Sequence, residues 1–182
     1  PISKKVTLPV KVSFNNLPSG LNVGDIKYNI DHKSVTIIGT PDVVSKMTSV
    51  TLSPIDFTAV STTSNSFEAT LVLPEGVKLL DNIEFFVVDI DTSGYTEKTF
   101  NVSNIKYSGL SSSLKASSGS VKNVKICGDK NVLKKLTASD LYAVVDLSDK
   151  GAGAYTVTVT IKSDKYPKVW QVGQYNLAVT VK

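Results

Sequence analysis

Few side chains in this sequence could carry chemistry. The 182 residues include one His, one Cys and one Trp, and all 20 basic residues are Lys. Nucleophilic catalysis needs a base beside the nucleophile. The only imidazole, His32, lies in the polar, turn-like stretch Ile30-Asp31-His32-Lys33 and reads as a surface turn residue. No Gly-x-Ser-x-Gly elbow is present. A hydrolase with His32 as base is a third-ranked reading, in which substituting His32 abolishes turnover. Cys127, in Val124-Lys125-Ile126-Cys127-Gly128, reads as a small buried hydrophobe and has no partner for an intrachain disulfide. Asp89 and Asp91 share a strand face, but no calcium-loop spacing follows them. Gly151-Ala152-Gly153 precedes a strand, Tyr155 to Ile161, and so offers no helix N-terminus to a phosphate. No catalytic residue, metal site or cofactor is assigned. Tyr166, Trp170 and Tyr175 gather near the C-terminus. They are a candidate contact surface, for stacking on a sugar or anchoring a protein; the competing reading packs Trp170 over a small core.

Composition bounds the rest. Charged residues are 20%, mean hydropathy is +0.05, the net charge is +4 and the pI is near 9.0. This composition folds. The longest apolar stretches, such as Phe85-Phe86-Val87-Val88, are strand-sized and far short of a spanning helix. Without Arg, the planar fork that grips phosphate and base edges is missing, which argues against nucleic acid. The Lys residues read as a solvated surface with edge-strand gatekeepers, with a modest attraction to an anionic membrane or wall polymer. Pro1 stands where an initiator Met would, and the expectation is a chain cut from something longer, with any signal or anchor upstream.

The elements that must position these residues repeat. Val35-Thr36-Ile37-Ile38-Gly39 reappears 89 positions later as Val124-Lys125-Ile126-Cys127-Gly128. Each Gly is followed by a helix N-cap, Thr40 or Asp129, and by apolar residues at helical spacing. These are Val43, Val44 and Met47, then Val132, Leu133 and Leu136. Upstream, Asn16-Leu17 and Gly20-Leu21 correspond to Asn104-Ile105 and Gly109-Leu110. Downstream, Ile55-Asp56-Phe57 corresponds to Val145-Asp146-Leu147. Gly39, Gly128, Asp56 and Asp146 are thus a repeat signature, and the matched aspartates read as turn-binding residues at strand ends. Alternating strands follow, through Phe67, Ala69, Leu71 and Leu73 or Tyr155, Val157, Val159 and Ile161. Each copy closes on another strand, Phe86-Val88-Ile90 or Leu177-Val179-Val181. The opening strand has apolar residues at every even position from Val6 to Phe14, and its Pro9 predicts a sheet edge or a bulge. The expected architecture is mostly β: two tandem small β-domains, residues 1–92 and 93–182, each of five to six strands with one short helix.

The order of these motifs resembles the YbbR-like domain family. The resemblance rests on Val124–Gly128, Leu133-Lys134-Lys135-Leu136, Ala143-Val144-Val145-Asp146-Leu147-Ser148 and Gly153-Ala154-Tyr155 in the second copy. In the first it rests on Val35–Gly39 and Leu73-Pro74-Glu75-Gly76-Val77. The first copy lacks the Gly-rich turn before Phe67, and the second has Ser163-Asp164-Lys165-Tyr166-Pro167 in place of the Leu-Pro-Glu-Gly-Val segment. The resemblance implies a non-enzymatic, extracytoplasmic protein tied to the cell membrane by an upstream helix. It also implies a Gram-positive source and regulation of a membrane diadenylate cyclase, hence of cyclic di-AMP, through protein contacts. The Lys-rich, Arg-free composition suits a low-GC bacterium. The alternative is a cell-surface adhesion or glycan-binding β-module.

Overall fold

A computed structural model describes residues 2–182; Pro1 lies outside the described residues. The chain forms two compact units. Unit 1 holds the described residues up to Asn15, together with Val23–Phe57 and Asn65–Asp91. Unit 2 holds Thr92–Lys182 and takes in two segments of the first sequence copy, Asn16–Asn22 and Thr58–Ser64.

Unit 1 is built from β1 (Lys4–Lys11), β2 (Phe14–Asn15), β3 (Tyr28–Ile30), β4 (Ser34–Gly39), α1 (Pro41–Val44), β5 (Val50–Leu52), β6 (Ile55–Asp56), β7 (Ser66–Ala69), β8 (Leu71–Val72), β9 (Lys78–Leu79) and β10 (Phe86–Ile90). Its main sheet has the order β8-β5-β1-β4-β9; β3-β10-β7 form a second sheet and β2-β6 a parallel pair. The even-position alternation puts Leu8, Val10 and Val12 in the core. Pro9 pairs with Ser34, whereas Val10 N–H donates to Lys33 O at 2.9 Å. Alternation therefore turns the Pro9 nitrogen to the other edge of β1, where pairing with β5 begins only at Val10.

Unit 2 repeats the plan with β11 (Tyr95–Val102), β12 (Ile105–Ser108), β13 (Ala116–Ser118), β14 (Val121–Asp129), α2 (Lys130–Lys135), β15 (Tyr142–Asp146), β16 (Gly153–Lys162), β17 (Trp170–Gln171) and β18 (Tyr175–Val181). The sheet orders are β11-β14-β17 and β12-β15-β16-β18-β13. Most pairings match, although the parallel β1/β5 ladder of unit 1 has no counterpart in unit 2. Antiparallel β1/β4 corresponds to β11/β14, parallel β2/β6 to β12/β15, and β3-β10-β7 to β13-β18-β16. Both units are mostly β with one short α-helix each, as the sequence pattern predicts. The strand segments outnumber the five or six expected because several are pieces of two or three residues. Asp129 caps α2 through its carboxylate, which accepts from Asn131 N at 2.8 Å; Thr40 makes no such bond and α1 starts on Pro41.

Two readings of the repeat change. Asn15 pairs with Asp56 and Ser108 with Asp146 in the parallel ladders, so Asn16 corresponds to Gly109 rather than to Asn104. Both residues have left-handed backbone, φ 57° and 73°, which Asn and Gly accept most readily. The Phe67-to-Leu73 alternation also does not form one strand. Thr70 separates β7, which pairs with β10, from β8, which pairs with β5. Its counterpart β16 runs unbroken and pairs with β18 through Val159, then with β15 from Thr160.

Candidate functional site

The matched glycines sit at the same three-way contact in each unit. Neither has positive φ, so their smallness is a matter of space. A Cβ on Gly39 would meet the Val44 γ-methyl at 2.8 Å, the Gly76 carbonyl at 3.1 Å and the Val77 γ-methyl at 3.2 Å. A Cβ on Gly128 would meet the Leu133 δ-methyl at 2.8 Å and the Val169 γ-methyl at 3.0 Å. Val44 and Leu133 each lie five residues past the glycine. Val77 and Val169 each precede the short strand, β9 or β17, that pairs with the glycine's own strand. The glycines thus let one helix residue and one loop residue close onto the sheet.

The matched aspartates end β6 and β15. The Asp146 carboxylate accepts from Ser148 Oγ at 2.6 Å and from Ser148 N at 2.9 Å, and these two bonds hold its pKa below the usual range. This is a turn-binding carboxylate. Asp56 is half-buried at the equivalent strand end, and each aspartate precedes a fully buried residue, Phe57 or Leu147.

The three aromatics do not make a free platform. Trp170 is 3% exposed, its Nε1 donates to Val60 O at 2.9 Å, and the Tyr95 ring meets it edge-on at 5.1 Å. The Tyr175 hydroxyl accepts from Lys125 N at 2.9 Å and donates to Val172 O at 2.6 Å. Tyr166 is half-buried against the unit 2 core. Trp170 therefore cannot anchor a partner at the surface as the sequence reading offered, because its apolar face and its N–H are both used internally.

Beside Trp170 a cleft of about 290 Å³ is lined within unit 2 by Leu17, Pro18, Thr58, Gln171 and Gln174, among others. Its polar groups bond one another. Gln171 accepts from Ile161 N at 2.7 Å and donates to Gly173 O at 2.9 Å; Gln174 Nε2 donates to Thr58 Oγ1 at 3.1 Å. A second, open groove of about 680 Å³ carries exposed charge. There Lys106 Nζ lies 3.6 Å above the Tyr142 ring, and Tyr142 donates to Asp164 at 2.8 Å. Lys165 lies 3.8 Å from Asp140. Exposed pairs of this kind contribute little stability.

The remaining candidates stay apart. His32 is exposed, with Nε2 3.7 Å from the Asp31 carboxylate and its ring edge-on to Phe86. Among the described residues no group of three or more His, Cys, Asp or Glu side chains could hold a metal ion. Cys127 is fully buried, and burial together with the nearby Glu97 charge pushes its pKa up to about 12. The native protein should therefore resist thiol alkylation at neutral pH and take up one label per chain only after denaturation; rapid native labelling would contradict this packing.

Glu97 is a largely enclosed acid, its side chain 17% exposed, paired with Lys125. Its desolvation opposes the charge, but hydrogen bonds from Thr62 N and Thr62 Oγ1 at 2.8 and 2.9 Å, with Lys125 at 3.6 Å, outweigh it and depress the pKa. A depressed folded-state pKa contributes stability that is complete above the ordinary value of 4.5 and is lost as the pH falls through the folded value. Glu97→Gln should therefore flatten the loss of stability as the pH falls below the ordinary value of 4.5, measured by urea unfolding at each pH. An unchanged slope would remove Glu97 from the acid response.

Sequence reasoning missed the Glu97–Thr62 bond and the Lys106–Tyr142–Asp164 group, because each joins segments far apart in the chain. A count by halves would have shown one further feature, the uneven distribution of Lys.

A family model described as YbbR-like protein matches residues 8–81 and again residues 100–181. No curated protein matches. Among solved structures, a crystal structure of a YbbR-like protein from Streptococcus pneumoniae TIGR4 aligns at 18% identity over 100% of this chain and 96% of that one, with a TM-score of 0.34. The solution structure of SuR18C from Streptococcus thermophilus aligns at 26% identity over 48% of this chain and 84% of that one, again with a TM-score of 0.34. With both sequence copies matched, the chain belongs to the YbbR-like protein family.

Proposed function

We propose that this chain is a non-catalytic regulatory or scaffolding module, the extracytoplasmic part of a membrane-anchored YbbR-like protein, working through protein contacts. The partner that the family resemblance suggests is a membrane diadenylate cyclase, whose cyclic di-AMP output the module modulates. One observation carries the reading. The residues shared by the two copies occupy packing contacts and strand ends within their own units, as Gly39, Gly128 and Asp146 do, and His32 has no counterpart in the second copy. A fold requirement repeats with the fold, whereas a reaction needs its groups assembled within hydrogen-bond reach. Co-purification of the membrane-anchored protein with a diadenylate cyclase, and a changed cyclic di-AMP level when residues 1–182 are deleted, test the reading together. A deletion that leaves the nucleotide level unchanged, with no cyclase recovered, would reject it.

A further inference from the structure

The net charge of +4 conceals a strong partition between the units. Unit 1 has seven Lys against ten acidic residues, a net −3, and unit 2 has thirteen against six, a net +7. The two segments that unit 2 takes from the first copy carry no charge, so the partition follows the repeat. Within unit 2 the lysines concentrate around α2. Lys130, Lys134 and Lys135 project from the helix as exposed residues, and Lys98 Nζ reaches the Leu136 carbonyl at 3.4 Å. Exposed Lys168 precedes Val169, whose methyl lies beside Gly128 at the foot of the helix. The nearby acids are engaged. Asp129 caps the helix, and Asp140 accepts from Thr137 N and Oγ1 and faces Lys165.

From this we infer that the α2 face of unit 2 is a contact site for an anionic lipid surface. Clustered ammonium groups gain by approaching a charged bilayer, in proportion to the number of lysines within a Debye length. The chemistry favours lipid headgroups over nucleic acid. Arg is absent, and none of the exposed large apolar side chains, Ile2, Val23, Tyr28, Val72, Leu80 and Phe85, lies in unit 2. A face of Lys without an exposed aromatic ring has neither the fork nor the stacking platform that bases need. It also has no wedge to insert, so the contact is electrostatic and reverses with salt. This goes beyond the regulatory reading and holds whichever protein the module contacts.

The test is sedimentation of the full chain with vesicles of phosphatidylcholine alone or with about 30% phosphatidylglycerol, at about 50 mM and about 300 mM salt. Binding is expected only to the anionic vesicles at low salt. The triple variant Lys130→Gln, Lys134→Gln, Lys135→Gln should weaken it by about tenfold or more. The triple variant Lys4→Gln, Lys5→Gln, Lys11→Gln removes the same charge from unit 1 and should change it by less than about threefold. Unfolding midpoints check that both variants fold. No binding to anionic vesicles at low salt, equal losses in the two variants, or tighter association with a DNA duplex than with vesicles would each overturn the assignment.

Discussion

Replacing Trp170 by Ala should lower the unfolding free energy by about 3–5 kcal/mol, the range for removing a buried aromatic, and the reason is local. The side chain is 3% exposed, lies edge-on to Tyr95, and donates its only polar hydrogen to Val60 O. Truncation leaves a ring-sized void and an unmatched buried carbonyl, because Val60 is itself fully buried. Trp170→Phe separates the two effects. It keeps most of the ring volume and loses the hydrogen bond, so a cost of about 1–2 kcal/mol is expected. Urea unfolding followed by far-UV circular dichroism reads both. A Trp170→Ala protein within about 0.5 kcal/mol of the parent would mean the indole is not packed as described.

Gly128→Ala should cost about 1–3 kcal/mol, the range for overpacking a core. The added methyl starts 2.8 Å from the Leu133 δ-methyl and 3.0 Å from the Val169 γ-methyl, so the Leu133 and Val169 side chains must shift to admit it. Gly39→Ala should cost at least as much, since one of its close neighbours is the Gly76 carbonyl, backbone that gives less easily than a side-chain end. Gly24→Ala is the control. Nothing lies within 4 Å of that added carbon, and it should be neutral or slightly stabilising. Adding Leu133→Val to Gly128→Ala should recover part of the loss, because the two changes act on one contact. Equal, negligible effects at Gly39, Gly128 and Gly24 would deny the glycines their packing role.

Much of this architecture is legible in the sequence where the signal is local. The even-position apolar residues of β1, the two Val-to-Gly strands, the helix start at Pro41 and the cap at Asp129 each depend on neighbours a few residues away. The Gly39 and Gly128 matches were readable as a repeat, though not the clash that explains them, since Val77 and Val169 arrive from 38 and 41 positions downstream. Long-range closure is what the pattern hides. The sequence offers Trp170 as packed over a small core or as a surface contact, and only Val60, 110 residues earlier and placed against its N–H, decides for packing. The same limit applies to residues 16–22 and 58–64, which the repeat assigns to the first copy and whose contacts place them in unit 2. The equivalence of Asn16 and Gly109 needed the parallel register, because the two share a backbone conformation and not a side-chain type. The three-residue helical turns at Val23–Asp25, Phe57–Ala59 and Ala138–Asp140 are too short to show a period.

The proposed function has these two units acting by contact rather than through a reactive centre. If the proposed partner is right, cyclic di-AMP in cells carrying a diadenylate cyclase and a protein that contains this chain separates the two, by comparing deletion of residues 1–182 with the combined variant His32→Ala, Asp56→Asn, Asp146→Asn. Deletion should shift the nucleotide level, while the combined variant, verified as folded by its unfolding midpoint, should leave it at the parent value. A folded combined variant that reproduces the deletion would contradict it.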